Sequence, residues 1–121
     1  MTKQRMPQST VQAVQERCKG RCERCGLPAP RGVYHHRQPR GIGGSSTGYE
    51  HLSTNILFLH DSEHRMVHAN PERSYRDGLL VRHGTDPASV PVLTAHGEVW
   101  LGDGGFQAGR SPAATDEPPA P

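Results

Sequence analysis

Two segments of this chain, 33-VYHHR-37 and 55-NILFLHDSEHRMVH-68, carry most of its structural information. The first segment is typical of a short strand, which would carry two adjacent histidines. The second segment begins, after its asparagine, with four apolar residues at 56–59, and such a run is typical of a buried strand. Residues 39–46 lie between the two segments and contain a proline and a glycine-rich run, which together predict a loop.

The end of the second segment predicts a helix, which Asp61 or Ser62 can cap. His64 and His68 are spaced four residues apart in this helix, so they would lie on one face, about one turn apart. Two imidazoles in that arrangement can bind one divalent ion, although the same spacing also arises by coincidence on helix surfaces.

The adjacent histidines of the first strand can have different functions. His35 and His36 would point to opposite faces of the strand, because side chains alternate along extended backbone. One of them could complete a metal site with the helical histidines while the other does something else. His51 lies in the loop and is expected to be exposed and not a metal ligand.

The N-terminal region predicts a helix followed by a turn that contains two cysteines. Ser9 or Thr10 can cap a helix that extends to about Cys18, and Gly20 would end it. The next segment, 22-CERCG-26, places two thiols on a tight turn closed by glycine. We interpret it as a zinc-knuckle-like turn.

The region after residue 69 predicts one more helix and several short strands. A helix would begin at Pro71, since proline is favoured at the first helical position, and it would end at Gly78. Short strands are expected at 79–82, 91–93 and 98–101, and the last two could pair as a C-terminal β hairpin.

The composition indicates one small domain with a thin apolar core. The chain has 121 residues, 32% hydrophobic residues and a mean hydropathy of −0.73. Its three cysteines cannot all pair within one chain, and it has no signal peptide and no apolar run long enough to cross a membrane. A disulfide scaffold is therefore not expected, a reducing bacterial cytoplasm is, and a metal ion is the expected cross-link.

The same patterns divide the chain into three regions. Residues 1–8 are expected to be a flexible leader, and residues 9–108 the folded domain, with its central element at 33–69. Residues 109–121 are rich in proline and alanine and are expected to be a disordered tail.

Positive charge is concentrated between residues 17 and 40, which contain seven basic residues and one acidic residue. The basic residues are Arg17, Lys19, Arg21, Arg24, Arg31, Arg37 and Arg40. Such a run suits a polyanion such as a nucleic-acid backbone, although an ordinary solvated surface would also carry it. Arg37 and Arg40 lie next to the histidine strand and are the best candidates for contacts with DNA phosphates.

Taken together, the order of these elements resembles the ββα-metal (His-Me) finger of HNH endonucleases. The matching features are the two strand histidines, the glycine-rich loop, Asn55, the apolar strand and the helical histidines. Eight residues separate Asn55 from His64, which agrees with this pattern. A histidine at the first ligand position is similar to the colicin DNases, and residues 79–104 look like HNH proteins of actinobacterial phages and prophages.

The resemblance implies a role for each residue of the pattern. His35, His64 and His68 would hold a catalytic divalent ion, which could be Mg²⁺, Mn²⁺, Ni²⁺ or Zn²⁺. His36 would act as the general base, and Asn55 would bind backbone across the loop and so orient the strand that carries His36. Without the resemblance, His36 could be a partly buried core histidine, and Asn55 an ordinary residue at the entry to a strand.

The pattern departs from many HNH proteins at the cysteines. In these relatives, a second pair of cysteines before the helix completes a four-thiolate zinc site, and the equivalent positions here are His60 and Glu63. A structural zinc site could still form from Cys22, Cys25 and His60 with a fourth ligand from Glu63 or Cys18. Alternatively the zinc has been lost, and Cys18 is a small buried apolar side chain.

We therefore expect a one-domain α+β protein that acts as a metal-dependent DNA endonuclease on double-stranded DNA, as a monomer or weak dimer. The phage-like pattern suggests a role in genome packaging beside a terminase, in restriction-like cleavage or in DNA mobility. Two alternatives remain: a non-catalytic zinc-knuckle module that binds nucleic acid, and an accessory protein that docks on terminase.

Overall fold

The computed structural model describes residues 6–39, 48–102 and 105–108. In this part of the chain it shows a small α+β protein with three helices and two antiparallel sheets. The elements are α1 (Gln8–Cys18), β1 (Val33–His36), β2 (Ile56–Leu59), α2 (Asp61–Ala69), α3 (Pro71–Arg76), β3 (Val92–Thr94), β4 (Gly97–Gly102) and β5 (Gly105–Ala108). The expected leader (except residues 6–8), glycine-rich loop and tail lie outside the described residues.

The first sheet consists of β1 and β2, which pair antiparallel with His35 opposite Leu57 and His36 opposite Ile56. All four residues of β2 are buried, as the apolar run predicted. Helices α1 and α2 both contact β2, and α2 also contacts β1, so α2 packs against the strand that carries the adjacent histidines.

Helix α1 ends as predicted but begins differently. It begins at Gln8 after Pro7 with no side-chain cap, so the expected cap by Ser9 or Thr10 is wrong. The Thr10 hydroxyl instead donates a hydrogen bond to a backbone carbonyl in a distant loop. At the other end, Lys19 and Gly20 adopt positive φ angles of 53° and 76°, and this left-handed turn stops the helix.

Helices α2 and α3 follow each other directly. No side chain caps α2, so the expected cap by Asp61 or Ser62 is wrong. Pro71 occupies the first turn of α3, as predicted. Gly78 follows α3 with φ of 76°, and a Cβ atom at this position would lie 1.9 Å from the carbonyl oxygen of Pro91. Only glycine therefore allows this close approach to the segment that leads into β3.

The second sheet contains β3, β4 and β5 in sequence order. The predicted hairpin is present as β3 and β4, whereas the third strand had no clear signal in the sequence. The strand expected at 79–82 is absent from the described structure. Residues 79–81 are buried, but the backbone N–H groups of Leu79 and Leu80 both donate to Ser74, and that of Val81 donates to Arg37.

The core combines apolar side chains with one buried ion pair. Val14, Leu59 and Val99 are among its fully buried apolar residues. Arg17 and Glu23 form two hydrogen bonds of 2.8 and 2.9 Å at almost no exposure. The same two side chains also bind backbone groups of residues 53, 56 and 58, so the ion pair joins α1 and the cysteine turn to β2. No helix in the described ranges is both long and apolar enough to cross a bilayer.

Candidate metal centres

Three histidines from two elements converge at the contact between β1 and α2. His35 comes from β1, and His64 and His68 come from α2. One nitrogen from each ring lies within 4.8 Å of the others. The ring centres are 5.1, 5.4 and 4.8 Å apart, so the three predicted ligands are adjacent in the structure.

The spacing of these nitrogens suits a single metal ion. The Nε2 atoms of His64 and His68 are 3.2 Å apart. Zinc–nitrogen bonds of about 2.0–2.1 Å in a tetrahedron place neighbouring ligands about 3.3 Å apart. His35 is buried, His64 is half-buried and His68 is exposed, so one side of the group faces solvent. Three protein ligands with one open side are typical of catalytic zinc sites, because the open position takes water or substrate.

The orientation of His35 is set by a backbone contact. Its Nε2 donates to the carbonyl oxygen of Leu79 at 2.7 Å. A carbonyl can only accept, so Nε2 carries the proton and Nδ1 keeps the lone pair that a metal requires. Burial lowers the pKa of His35 to about 4, and burial also lowers the pKa of His64. His35 is therefore neutral at neutral pH, as a metal ligand must be.

Asn55 makes the backbone contacts that were expected of it. The residue is fully buried. Its Oδ1 accepts a hydrogen bond of 2.8 Å from the backbone N–H of Gln38, and its Nδ2 donates to the carbonyls of Gln38 and Glu50 at 3.2 Å each. Asn55 thus binds both the backbone N–H and the backbone carbonyl of Gln38, two positions after His36. These contacts fix the direction in which the chain leaves β1.

His36 lies beside the three-histidine group but does not belong to it. It alternates with buried His35 on β1 and is half-buried itself. Its ring centre is 5.8 Å from that of His51. His51 was expected to be exposed, but this is wrong, since both of its ring nitrogens are buried.

The structure contradicts the phosphate contact expected of Arg37, whose side chain is fully buried. Its guanidinium donates four hydrogen bonds of 2.7–3.1 Å to backbone carbonyls. The acceptors are Gly78, Thr54, Pro87 and Val90. Burial lowers the pKa of Arg37 to about 9, which still leaves the group charged at neutral pH. Arg37 therefore joins the end of β1 to three distant segments, and its fully buried guanidinium is not accessible to DNA. Arg40 lies outside the described residues.

A second group of ligand atoms comes from the cysteine turn and the residue before α2. The side chains of Cys22, Cys25 and His60 each place a donor atom within 4.8 Å of the others. The Cys25 Sγ is 3.3 Å from the Nδ1 of His60. The Nε2 of His60 donates to the carbonyl of Pro28 at 2.9 Å, which leaves Nδ1 as the free lone pair.

Burial raises the pKa of the Cys22 thiol, whereas backbone N–H groups of His60, Cys25 and Arg24 lower it. Such N–H groups would stabilise a metal-bound thiolate. Neither proposed fourth ligand belongs to this group. The Cys18 Sγ instead lies 3.8 Å from the Oε1 of Gln15, and Glu63 lines a separate cleft. The described residues therefore supply three ligands for zinc, two sulfurs and one nitrogen, and a fourth position is left for another donor.

Several features of these centres had no signal in the sequence. The carbonyls of Leu79 and Pro28 orient the imidazoles of His35 and His60, and a backbone acceptor has no sequence signature. The position of His51 next to His36 depends on the fold of a loop. A histidine four residues before Asn55 is only a weak indication of that proximity.

Comparison of the chain with protein-family models, with curated proteins and with solved structures gave no match. The functional proposal therefore depends on the geometry of the described residues and on the sequence pattern.

Proposed function

We propose that this protein is a metal-dependent DNA endonuclease of the HNH type, built on a ββα-metal finger. The observation that carries the proposal is the convergence of His35, His64 and His68 at the contact between β1 and α2, with His36 next in sequence. The order β1, β2, α2 agrees with a ββα element, and the contacts of Asn55 agree with the role of a brace.

The donor chemistry favours a transition metal at the three-histidine site. Imidazole nitrogen suits Zn²⁺, Ni²⁺ and iron, whereas Mg²⁺ prefers oxygen ligands. His35, His64 and His68 would hold the ion, with its coordination completed by water or phosphate oxygen from the open side. When bound, such an ion supplies stabilisation of the negative charge that develops on phosphate oxygens.

His36 accepts the proton in the proposed reaction. A water oxygen forms a bond to phosphorus while one of its protons passes to a ring nitrogen of His36. The bond between phosphorus and the 3′ oxygen breaks, and the leaving oxygen takes a proton from solvent. The products are a 5′-phosphate and a 3′-hydroxyl, and His36 returns its proton to solvent.

Contacts with double-stranded DNA would come from fewer basic residues than the seven that the sequence places between residues 17 and 40. Arg17 and Arg37 are buried and bind other groups of the protein. Lys19, Arg21 and Arg31 are exposed and can contact phosphates. A role in phage genome packaging beside a terminase remains a prediction from the resemblance.

A plasmid-nicking assay with Mg²⁺, Mn²⁺, Ni²⁺ and Zn²⁺ tests the proposal. We expect conversion of supercoiled to open-circular plasmid with at least one transition metal, and no conversion in excess EDTA. The His83→Ala variant is the matched control, because His83 is exposed and lies outside both ligand groups. Intact plasmid with every metal would instead favour a non-catalytic protein that binds nucleic acid or docks on a partner.

We also propose that Cys22, Cys25 and His60 hold a structural zinc ion. After equilibration with Zn²⁺ and removal of the excess, the parent protein should contain two metal ions per chain by elemental analysis. Cys22→Ser should lose one of them, His64→Ala the other, and Cys18→Ser neither, because Cys18 is outside both groups. One ion per chain in both the parent and Cys22→Ser would show that the cysteine group binds no metal.

A further inference from the structure

Arg82 is an exposed arginine that forms no ion pair with the residues that the structure describes. The two arginines of α3 differ from it, because Arg73 and Arg76 each lie 3.7 Å from a carboxylate oxygen of Asp77. Glu72 lines the same cleft as Arg82 but is not within ion-pair distance of it. The positive charge of Arg82 is therefore not compensated by a carboxylate in the described ranges.

An aromatic ring holds the side chain of Arg82. Its Cζ atom lies over the ring of Tyr75, 4.2 Å from the ring centre, which is a cation–π contact. Tyr75 is half-buried and packs against the apolar core, so the ring itself is fixed. The N–H donors of a guanidinium lie in its plane, and a contact with a ring face leaves them available. A phosphate group can accept two such donors side by side.

The backbone of Arg82 is fixed beside the strand that carries the histidines. Its carbonyl accepts a hydrogen bond of 2.7 Å from Nε2 of Gln38, a fully buried residue. Asn55 binds both the backbone N–H and the backbone carbonyl of Gln38. The contacts that orient the chain after His36 therefore also position Arg82.

Arg82 is close to the three-histidine site along the chain. The carbonyl of Leu79 is the hydrogen-bond partner of His35, and Arg82 follows three residues later. Three residues span at most about 11 Å. The phosphates of one DNA strand follow each other at a rise of about 3.4 Å along the helix axis, so this distance corresponds to about three nucleotides.

We infer that Arg82 binds a phosphate of the DNA strand that is cut, within about three nucleotides of the broken bond. This inference rests on the proposed nuclease function. The bound phosphate is not the one that reacts, so the contact stabilises the substrate and the transition state equally. Loss of the contact should therefore raise KM and leave kcat unchanged.

Binding of a short labelled DNA duplex, measured by fluorescence anisotropy, tests the contact without cleavage. The His36→Ala background is used, because it keeps both groups of metal ligands. Arg82→Gln should raise Kd about tenfold, as when one hydrogen bond to a charged group is lost. The slope of log Kd against log salt concentration should fall in magnitude by about 0.9, the contribution of one phosphate.

Arg73→Gln is the matched control, because it removes an exposed positive charge that already has a carboxylate partner. Its Kd should change by less than about twofold. Tyr75→Leu keeps Arg82 but removes the ring beneath it, so it should weaken binding in part, whereas Tyr75→Phe should bind as the parent does. Melting temperature and metal content should be unchanged in Arg82→Gln.

The outcomes separate this inference from the proposed function. If the parent fails to nick plasmid with every metal but Arg82→Gln still weakens duplex binding, the nuclease proposal is overturned and the phosphate contact stands. If Arg82→Gln and Arg73→Gln have the same Kd and salt dependence, or if the parent does not bind the duplex, the inference is overturned. An Arg82→Gln variant that melts below the parent or loses metal would show a structural role and would also overturn it.

Discussion

Replacing His36 with alanine is expected to lower the rate of plasmid nicking by about 10²–10⁴-fold, the usual contribution of a positioned general base. Metal binding should not change in this variant. His36 is outside the group of three histidines whose nitrogens converge, and its neighbour His35 points into that group from the buried side of the strand.

His64→Ala is the informative comparison for this experiment. Its nitrogen lies 3.2 Å from that of His68, so its loss removes a ligand and should abolish nicking and metal binding at the three-histidine site, while the metal ion at the cysteine group is retained. Metal affinity measured by calorimetry and nicking rate measured on the same preparations then distinguish the two roles. Cleavage by His36→Ala at the parental rate would show that another group is the base, while the nuclease proposal would stand.

The local patterns of the chain predicted the elements around the three-histidine site. The apolar run of β2, the proline at the start of α3 and the glycine after it are signals that operate within a few residues, and the structure contains all three features. The spacing of His64 and His68 likewise depends only on helix geometry. The backbone contacts of Asn55 could be inferred from the sequence because its amide can both donate and accept hydrogen bonds, and in the structure it does both.

The wrong predictions concern contacts between residues far apart in sequence. Residues 79–82 have the composition of a strand, but the N–H groups of residues 79–81 bind Ser74 and Arg37 and not a neighbouring strand. The alternation that marks a strand cannot show whether a partner strand is available. His51 is polar and lies in a loop, so exposure was the natural expectation, and only its packing beside His36 shows otherwise.

The basic run between residues 17 and 40 illustrates the same limit. A count of charges treats every arginine as a surface group, yet two of these side chains are fully buried. Arg17 pairs with a carboxylate six residues away, whereas Arg37 binds carbonyls 17 to 53 residues away. No property of the sequence near Arg37 distinguishes it from a residue that binds phosphate.

Arg37→Met is the substitution with the largest expected effect on stability. It keeps an unbranched apolar stem but removes every donor, so the carbonyls of Gly78, Thr54, Pro87 and Val90 lose a hydrogen bond. A buried carbonyl left without a donor costs about 1–3 kcal/mol, so the loss of these contacts is expected to lower the free energy of unfolding by several kcal/mol. Because small domains are stable by only about 5–15 kcal/mol, this loss is a large share of the total.

Urea unfolding followed by circular dichroism measures this effect, with Arg31→Met as the matched control, because Arg31 is exposed and should change stability by less than about 0.5 kcal/mol. The stability of Arg37→Lys should be intermediate, since an ammonium group keeps the charge but cannot reach four carbonyls that surround a planar guanidinium.

The two possible roles of Arg37 make opposite predictions. If Arg37 connects buried segments, the Arg37→Met variant is less stable, and its nicking activity falls only as the protein unfolds. If Arg37 binds phosphate, the variant keeps the stability of the parent but binds DNA more weakly, and its binding depends less on salt. An Arg37→Met variant as stable as Arg31→Met but weaker in DNA binding would therefore contradict the buried network and restore the phosphate contact.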